Sequence, residues 1–174
     1  VHGHGRAARR ILEDAREAAA AMAGTAPANL VFTSGGTEAN NLALRGFPDR
    51  RIIVSALEHD SALAAAGDSA ARIPATSDGV IDMAALEYLL KSDDRPALVS
   101  LMLVNNETGV IQPVREAAEL VRAYGGLLHC DAAQAAGRIR LDLADLGCHL
   151  LTLSAHKLGG PAGIGALAWV DGAV

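Results

Sequence analysis

Apolar and polar positions divide the chain into one long helix-periodic stretch followed by a series of short apolar runs. Over residues 6–23 the apolar Ala8, Ile11, Leu12, Ala15, Ala18, Ala19 and Met22 recur at steps of three and four, and Gly24 follows them. This spacing predicts one amphipathic helix stopped by the glycine. The runs 30–33, 51–55, 71–75, 97–104, 126–130, 149–153 and 165–170 are too short for typical helices, and several are rich in Val, Ile and Leu, so they read as buried strands. Helical segments are predicted between them at 37–45, 82–91 and 113–124, with Pro113 in the first turn of the last and Gly125 as its stop. Strands alternating with helices imply an α/β fold: a mostly parallel sheet with helices on both faces. Run 165–170 follows 149–153 after only a loop, too short for a helical crossover, and is expected to be the one antiparallel strand. With no internal repeat or second domain visible, residues 1–174 read as one domain.

Composition narrows the function classes. The formal net charge is -5, with 15 basic residues scattered among 20 acidic ones, so the chain has no electrostatic footprint for nucleic acid. No apolar run approaches the roughly 20 residues of a membrane helix, and Val1-His2-Gly3-His4 lacks the charged and apolar regions of a signal peptide. A cytoplasmic location without a membrane partner is the expectation. Cys130 and Cys148 lack CxxC spacing and sit in or beside apolar segments, which reads as two reduced, packed thiols rather than a disulfide or a zinc site. The chain starts without methionine and with a helix only a few residues in, from which an excised piece of a longer protein is expected.

Ligands of such sheets bind beyond the carboxyl ends of the strands, and the residues there carry chemistry. After the first strand, Thr33-Ser34-Gly35-Gly36-Thr37-Glu38 is a glycine turn opening a helix; it suits a phosphate but reads equally as a plain capped turn. Glu58-His59 follows the second strand, and Asn105-Asn106-Glu107-Thr108 follows the central one. This last stretch also matches a glycosylation pattern, read as chance. Asp131 emerges from the apolar Leu127-Leu128-His129-Cys130, where a carboxylate is costly unless paired with a cation or bonded to nearby backbone. His129 and Asp131 share a side of the strand, but no third metal ligand has useful spacing. The run Ser154-Ala155-His156-Lys157-Leu158-Gly159-Gly160-Pro161 sets an amine beside a hydroxyl and an imidazole at a strand end. That is the setting of a Schiff-base lysine, though the run by itself reads equally as a solvated loop lysine. An amine, a buried carboxylate, an imidazole, amides and anion binders together match the needs of pyridoxal phosphate.

At these residues the chain resembles the cysteine desulfurases of the class V aminotransferase family, which share the fold type I architecture of pyridoxal-phosphate enzymes. The motifs that carry the resemblance run in order from Val31-Phe32-Thr33-Ser34-Gly35-Gly36-Thr37-Glu38-Ala39-Asn40-Asn41-Leu42 through Glu58-His59, Val104-Asn105-Asn106-Glu107-Thr108-Gly109 and His129-Cys130-Asp131-Ala132-Ala133-Gln134 to Ser154-Ala155-His156-Lys157-Leu158-Gly159-Gly160-Pro161. With the opening helix and the closing Gly163-Ile164-Gly165-Ala166-Leu167, the resemblance covers nearly the whole chain.

The resemblance implies that Lys157 carries the cofactor as a Schiff base and shuttles protons, that Asp131 pairs with the pyridine nitrogen, and that Gln134 and Asn106 bond the ring hydroxyl. His59 would stack on the ring and act in acid-base steps, Ala133 would lie against the other face, and Gly36, Thr37, Ser154 and His156 would hold the phosphate. It further implies L-cysteine as substrate, sulfur passed to an enzyme cysteine as a persulfide with release of alanine, and an acceptor such as an iron-sulfur scaffold, in a homodimeric full-length protein. The family's N-terminal segment and C-terminal small domain, with its sulfur-accepting cysteine and its carboxylate-binding arginine, have no counterpart here. Ala162 also stands where the family often has lysine. A selenocysteine lyase, another class V aminotransferase, or a non-catalytic module that keeps the fold are the alternatives.

Overall fold

A computed structural model of the chain describes residues 3–173; Val1, His2 and Val174, and with the first two part of the stretch read for a signal segment, lie outside the described residues. Helix α1 (Gly3–Ala23) leads through a short 3-10 turn to β1 (Leu30–Thr33), α2 (Gly36–Arg45), β2 (Arg51–Ser55), α3 (Asp60–Ala66) and β3 (Ala71–Ile73). The chain continues through α4 (Met83–Lys91), β4 (Ala97–Ser100), α5 (Val114–Ala123), β5 (Leu127–Asp131), α6 (Leu143–Leu146), β6 (Leu150–Ser154) and β7 (Gly165–Trp169).

The strands form one sheet in the order β1-β7-β6-β5-β4-β2-β3. Strands β2 to β6 pair in parallel, and β7 runs antiparallel between β1 and β6. The single antiparallel strand is the one expected from the short loop before it.

Strand alternation sorts the core into two layers. Ala97 and Val99 of β4, Leu128 and Cys130 of β5, and Leu151 and Leu153 of β6 face α4, α5 and the end of α1. Leu98 of β4 and Leu150 of β6 face Ala39, Ala43 and Leu44 of α2 and Ala62 and Ala65 of α3. The alanines let α2 and α3 lie close to the sheet, so the starts of both helices reach the carboxyl ends of the strands.

Several boundaries differ from the sequence reading, for local reasons. The expected strand 71–75 ends at Ile73 because Pro74 has no N–H to donate; Ala75 instead bridges Ile81. The expected strand 97–104 is regular only to Ser100, yet Leu101 and Leu103 still donate to the carbonyls of His129 (3.0 Å) and Asp131 (2.9 Å). Pro113 caps α5 rather than opening it. Helices α3 and α6 are one or two turns long and carry too few residues for a periodic signal.

Candidate active site

Strands β1, β2, β4, β5 and β6 end in Thr33, Ser55, Ser100, Asp131 and Ser154, a polar rim on an otherwise apolar sheet. Just beyond it lies a cavity of about 280 Å³. Every site residue named from the sequence lines it: Gly36 and Thr37 from α2, His59 before α3, Asn106 after β4, Asp131, Ala133 and Gln134 at the end of β5, and Ser154, His156 and Lys157 at the end of β6. Asn40, Ser61, Met102 and Val104 line it too. These four were not singled out, although Asn40 falls one helical turn after Gly36 and so shares its face.

Asp131 is the buried anion of the cavity floor, 6% exposed. Its Oδ1 accepts from the Ala133 backbone N–H at 2.9 Å and its Oδ2 from Asn40 Nδ2 at 2.8 Å. Among the described residues no lysine or arginine forms an ion pair with it. Two neutral donors offset only part of the cost of burying a carboxylate, so the site favours a cation in the cavity above it.

Below the floor a second set of polar groups crosses the sheet. Glu58 accepts from the Met102 backbone N–H and, at 3.4 Å, from Ser100 Oγ. His129 places Nδ1 2.9 Å from Ser100 Oγ and Nε2 2.9 Å from Thr152 Oγ1. Burial, with the charge of Asp131 adding to it, raises the Glu58 carboxyl to about 8 against the pull of its two donors. Burial lowers His129 to about 4, and the attraction of Asp131 recovers only part of that. Both groups are therefore mostly uncharged at neutral pH. With both ring nitrogens of His129 occupied by hydroxyls, the ring belongs to the sheet rather than to the cavity.

The anion-binding end is built by close approach. Gly35 has φ 153°, and a Cβ on Gly165 would lie 2.5 Å from the Gly35 carbonyl carbon, so β7 and the turn touch through bare backbone. Thr33 Oγ1 donates to the Gly35 carbonyl at 2.9 Å. Glu38 accepts from the Ser34 N–H at 2.6 Å, which holds its carboxyl below the ordinary value. Gly36 and Thr37 thus open α2 with free N–H groups beside Ser154, whose Oγ lies 3.1 Å from His156 Nδ1. Lys157 stands exposed in the 3-10 turn Ala155–Leu158, which Gly159 ends at φ 86°. A buried carboxylate, a bare glycine turn suited to an anion and an exposed amine, all lining one cavity, fit pyridoxal phosphate in charge.

Both cysteines are free and buried, Cys130 at 0% and Cys148 at 1% exposed. No helix among the described residues is long and apolar enough to cross a membrane.

Comparison with known proteins identifies the family. The family model for class-V aminotransferases matches residues 1–172. An IscS-like cysteine desulfurase of Mycobacterium tuberculosis is 38% identical, with 96% of this chain and 47% of that protein covered. A cysteine desulfurase of Cereibacter sphaeroides is 43% identical, with 96% and 46% covered. Among solved structures, a NifS-like protein from Rickettsia africae superposes with a TM-score of 0.89 at 33% identity, over 97% of this chain and 49% of that one. DndA from Streptomyces lividans gives 0.80 at 40% identity, over 97% and 50%. The chain spans about half the length of the curated relatives it matches. It belongs to the class-V aminotransferase family of pyridoxal-phosphate-dependent enzymes.

Proposed function

We propose that residues 1–174 form the cofactor-binding domain of a cysteine desulfurase, which takes sulfur from L-cysteine and releases L-alanine. The observation that carries this reading is the cavity at the strand ends, where Lys157, Asp131 and His59 meet an anion cradle. The similarity to proteins named cysteine desulfurase supports it.

When bound, pyridoxal phosphate supplies an electrophilic carbon for an amine and an electron sink for the substrate α-carbon. Lys157 Nζ would provide the covalent attachment and serve as the base for the substrate α-proton. The Asp131 carboxylate would hold a proton on the ring nitrogen by charge-assisted hydrogen bonding. The methyl group of Ala133 and the imidazole of His59, which both line the cavity, would hold the ring and exclude water from it. Asn106 and Gln134 offer amide donors to the ring hydroxyl. Gly36, Thr37, Ser154 and His156 would bind the phosphate through backbone N–H, hydroxyl and imidazole groups.

Neither buried thiol suits sulfur acceptance, because a reactive thiolate needs an accessible, electropositive setting. In this reading the accepting cysteine belongs to a part of the enzyme beyond these residues. Sulfur then passes to an acceptor such as an iron-sulfur scaffold, and the enzyme acts in the cytoplasm as a homodimer.

Incubation with pyridoxal phosphate, borohydride reduction and peptide mapping test the site. The chain has two lysines, Lys91 and Lys157, and the label is expected on Lys157. Label on Lys91, or none on the folded protein, overturns the assignment. Release of alanine from L-cysteine by the full enzyme separates a desulfurase from another member of the family.

A further inference from the structure

His59 caps the N-terminus of α3: its Nδ1 accepts from the backbone N–H of Ser61 at 3.1 Å. The Ser61 hydroxyl lies 2.9 Å from the same nitrogen. On its other side Ser61 Oγ accepts from Asn40 Nδ2 at 3.0 Å, and the same Nδ2 donates to Asp131 Oδ2 at 2.8 Å. Four residues from three elements thus form one continuous path from the imidazole of His59 to the carboxylate of Asp131.

The direction of the path follows from counting protons. A backbone N–H cannot reverse, so His59 Nδ1 must offer a lone pair to Ser61. The neutral imidazole therefore carries its proton on Nε2. Asn40 Nδ2 has two hydrogens, one for Asp131 and one for Ser61 Oγ, and the single hydroxyl hydrogen of Ser61 is left for His59 Nδ1. Each donor is used once, and the single lone pair of Nδ1 is shared between the N–H and the O–H of Ser61.

Asn40 is 1% exposed, and its Oδ1 is a buried polar atom with no hydrogen-bond partner among the described residues. Leaving an acceptor unpaired is costly. Turning the amide over would set that oxygen against the Asp131 carboxylate, so the orientation with both hydrogens donated is the one that two facing acceptors select.

We propose that Ser61 is a positioning residue, which fixes the tautomer and plane of His59 and couples that ring to Asp131 through Asn40. Its consequence within the proposed function, on which this part rests, is that His59 presents an N–H to the cavity rather than a lone pair. It donates a hydrogen bond there, while proton abstraction falls to Lys157. The hydroxyl, not the backbone, makes the link to Asp131, so the two parts of the role separate experimentally.

The test is nitrogen NMR of this chain labelled with 15N-histidine, without cofactor, so that its outcome is independent of turnover and of borohydride labelling at Lys157. In the unsubstituted chain the neutral His59 is expected to show the proton on Nε2, and Asp131→Asn is expected to shift the Nδ1 resonance. In the Ser61→Ala background the proton stays on Nε2, because the backbone N–H remains, but the Asp131→Asn shift is lost. Ser61→Thr, which keeps a hydroxyl, is expected to restore it. This is a double-mutant cycle read on a spectroscopic signal. A neutral His59 protonated at Nδ1 overturns the proposal, as does an Asp131→Asn shift that is the same with and without the Ser61 hydroxyl. If those signals behave as expected while Lys157 takes no label, the positioning role stands and the cofactor reading fails.

Discussion

Gly165 of β7 packs its Cα face directly onto the backbone of Gly35, with a Cβ at position 165 placed 2.5 Å from the Gly35 carbonyl carbon and 2.7 Å from its Cα. This contact joins the antiparallel strand to the anion-binding turn. It makes β7 part of the site although it contributes no functional side chain to the cavity.

Gly165→Ala is expected to push the turn of Gly35 and Gly36 away from Ser154. Overpacking of this kind costs about 1–3 kcal/mol, so the chain should still fold but hold pyridoxal phosphate weakly. Denaturant midpoints and cofactor retention on gel filtration check this, and retention equal to the unsubstituted chain would mean that the turn does not bind the phosphate.

Asp131→Asn removes the negative charge but keeps a side chain of the same shape. A hydrogen bond to a charged group is worth about 1.5–3 kcal/mol, so cofactor affinity should fall roughly ten- to hundredfold. The ring nitrogen should also lose its proton near neutral pH, and activity of the full enzyme should fall further than affinity. Fluorescence titration with pyridoxal phosphate measures the first effect, and alanine release from L-cysteine at saturating cofactor measures the second.

Stability should depend on pH through Glu58 and His129, with opposite signs. Glu58 is raised from 4.5 to about 8, so between those values the folded chain binds more protons than the unfolded one, and stability falls as pH rises. His129 is lowered from 6.5 to about 4, so between those values the unfolded chain binds more protons, and stability falls as pH drops. The two slopes oppose each other between 4.5 and 6.5, leaving a loss above 6.5 from Glu58 and a loss below 4.5 from His129. Glu58→Gln, which keeps an acceptor for Met102, should remove the loss above pH 6.5 in urea unfolding curves. An unchanged slope there would place the titration on another group.

Cys130 and Cys148 should resist thiol reagents in the folded chain. Cys130 is raised well above its ordinary value by its hydrogen bond with Cys148 and by burial, and both side chains are covered. Ellman's reagent should react at the rate of unfolding, in native buffer and in low urea alike. Fast reaction of either thiol without unfolding would reopen it as a sulfur acceptor.

The sequence by itself determined the strand and helix alternation, the antiparallel placement of β7 and the identity of the residues at the strand ends. Those signals are local: apolar runs, glycine stops, and chemistry-bearing residues that follow each run at once. Their separation along the chain, from Gly36 to Lys157, says nothing of distance, and only the parallel sheet carries all the strand ends to one cavity. Tertiary structure alone decided the roles of Asn40, Ser61, Glu58 and His129. Asn40 is an ordinary polar residue in a helix until α2 lies over the end of β5, and Ser61 an ordinary helix-start serine until α3 lies beside α2. Glu58 and His129 would ionise like any exposed carboxylate and imidazole in an unfolded chain. Burial under the cavity floor makes both neutral, with the charge of Asp131 adding to the effect at Glu58 and opposing it at His129, and neither influence exists before the sheet is assembled.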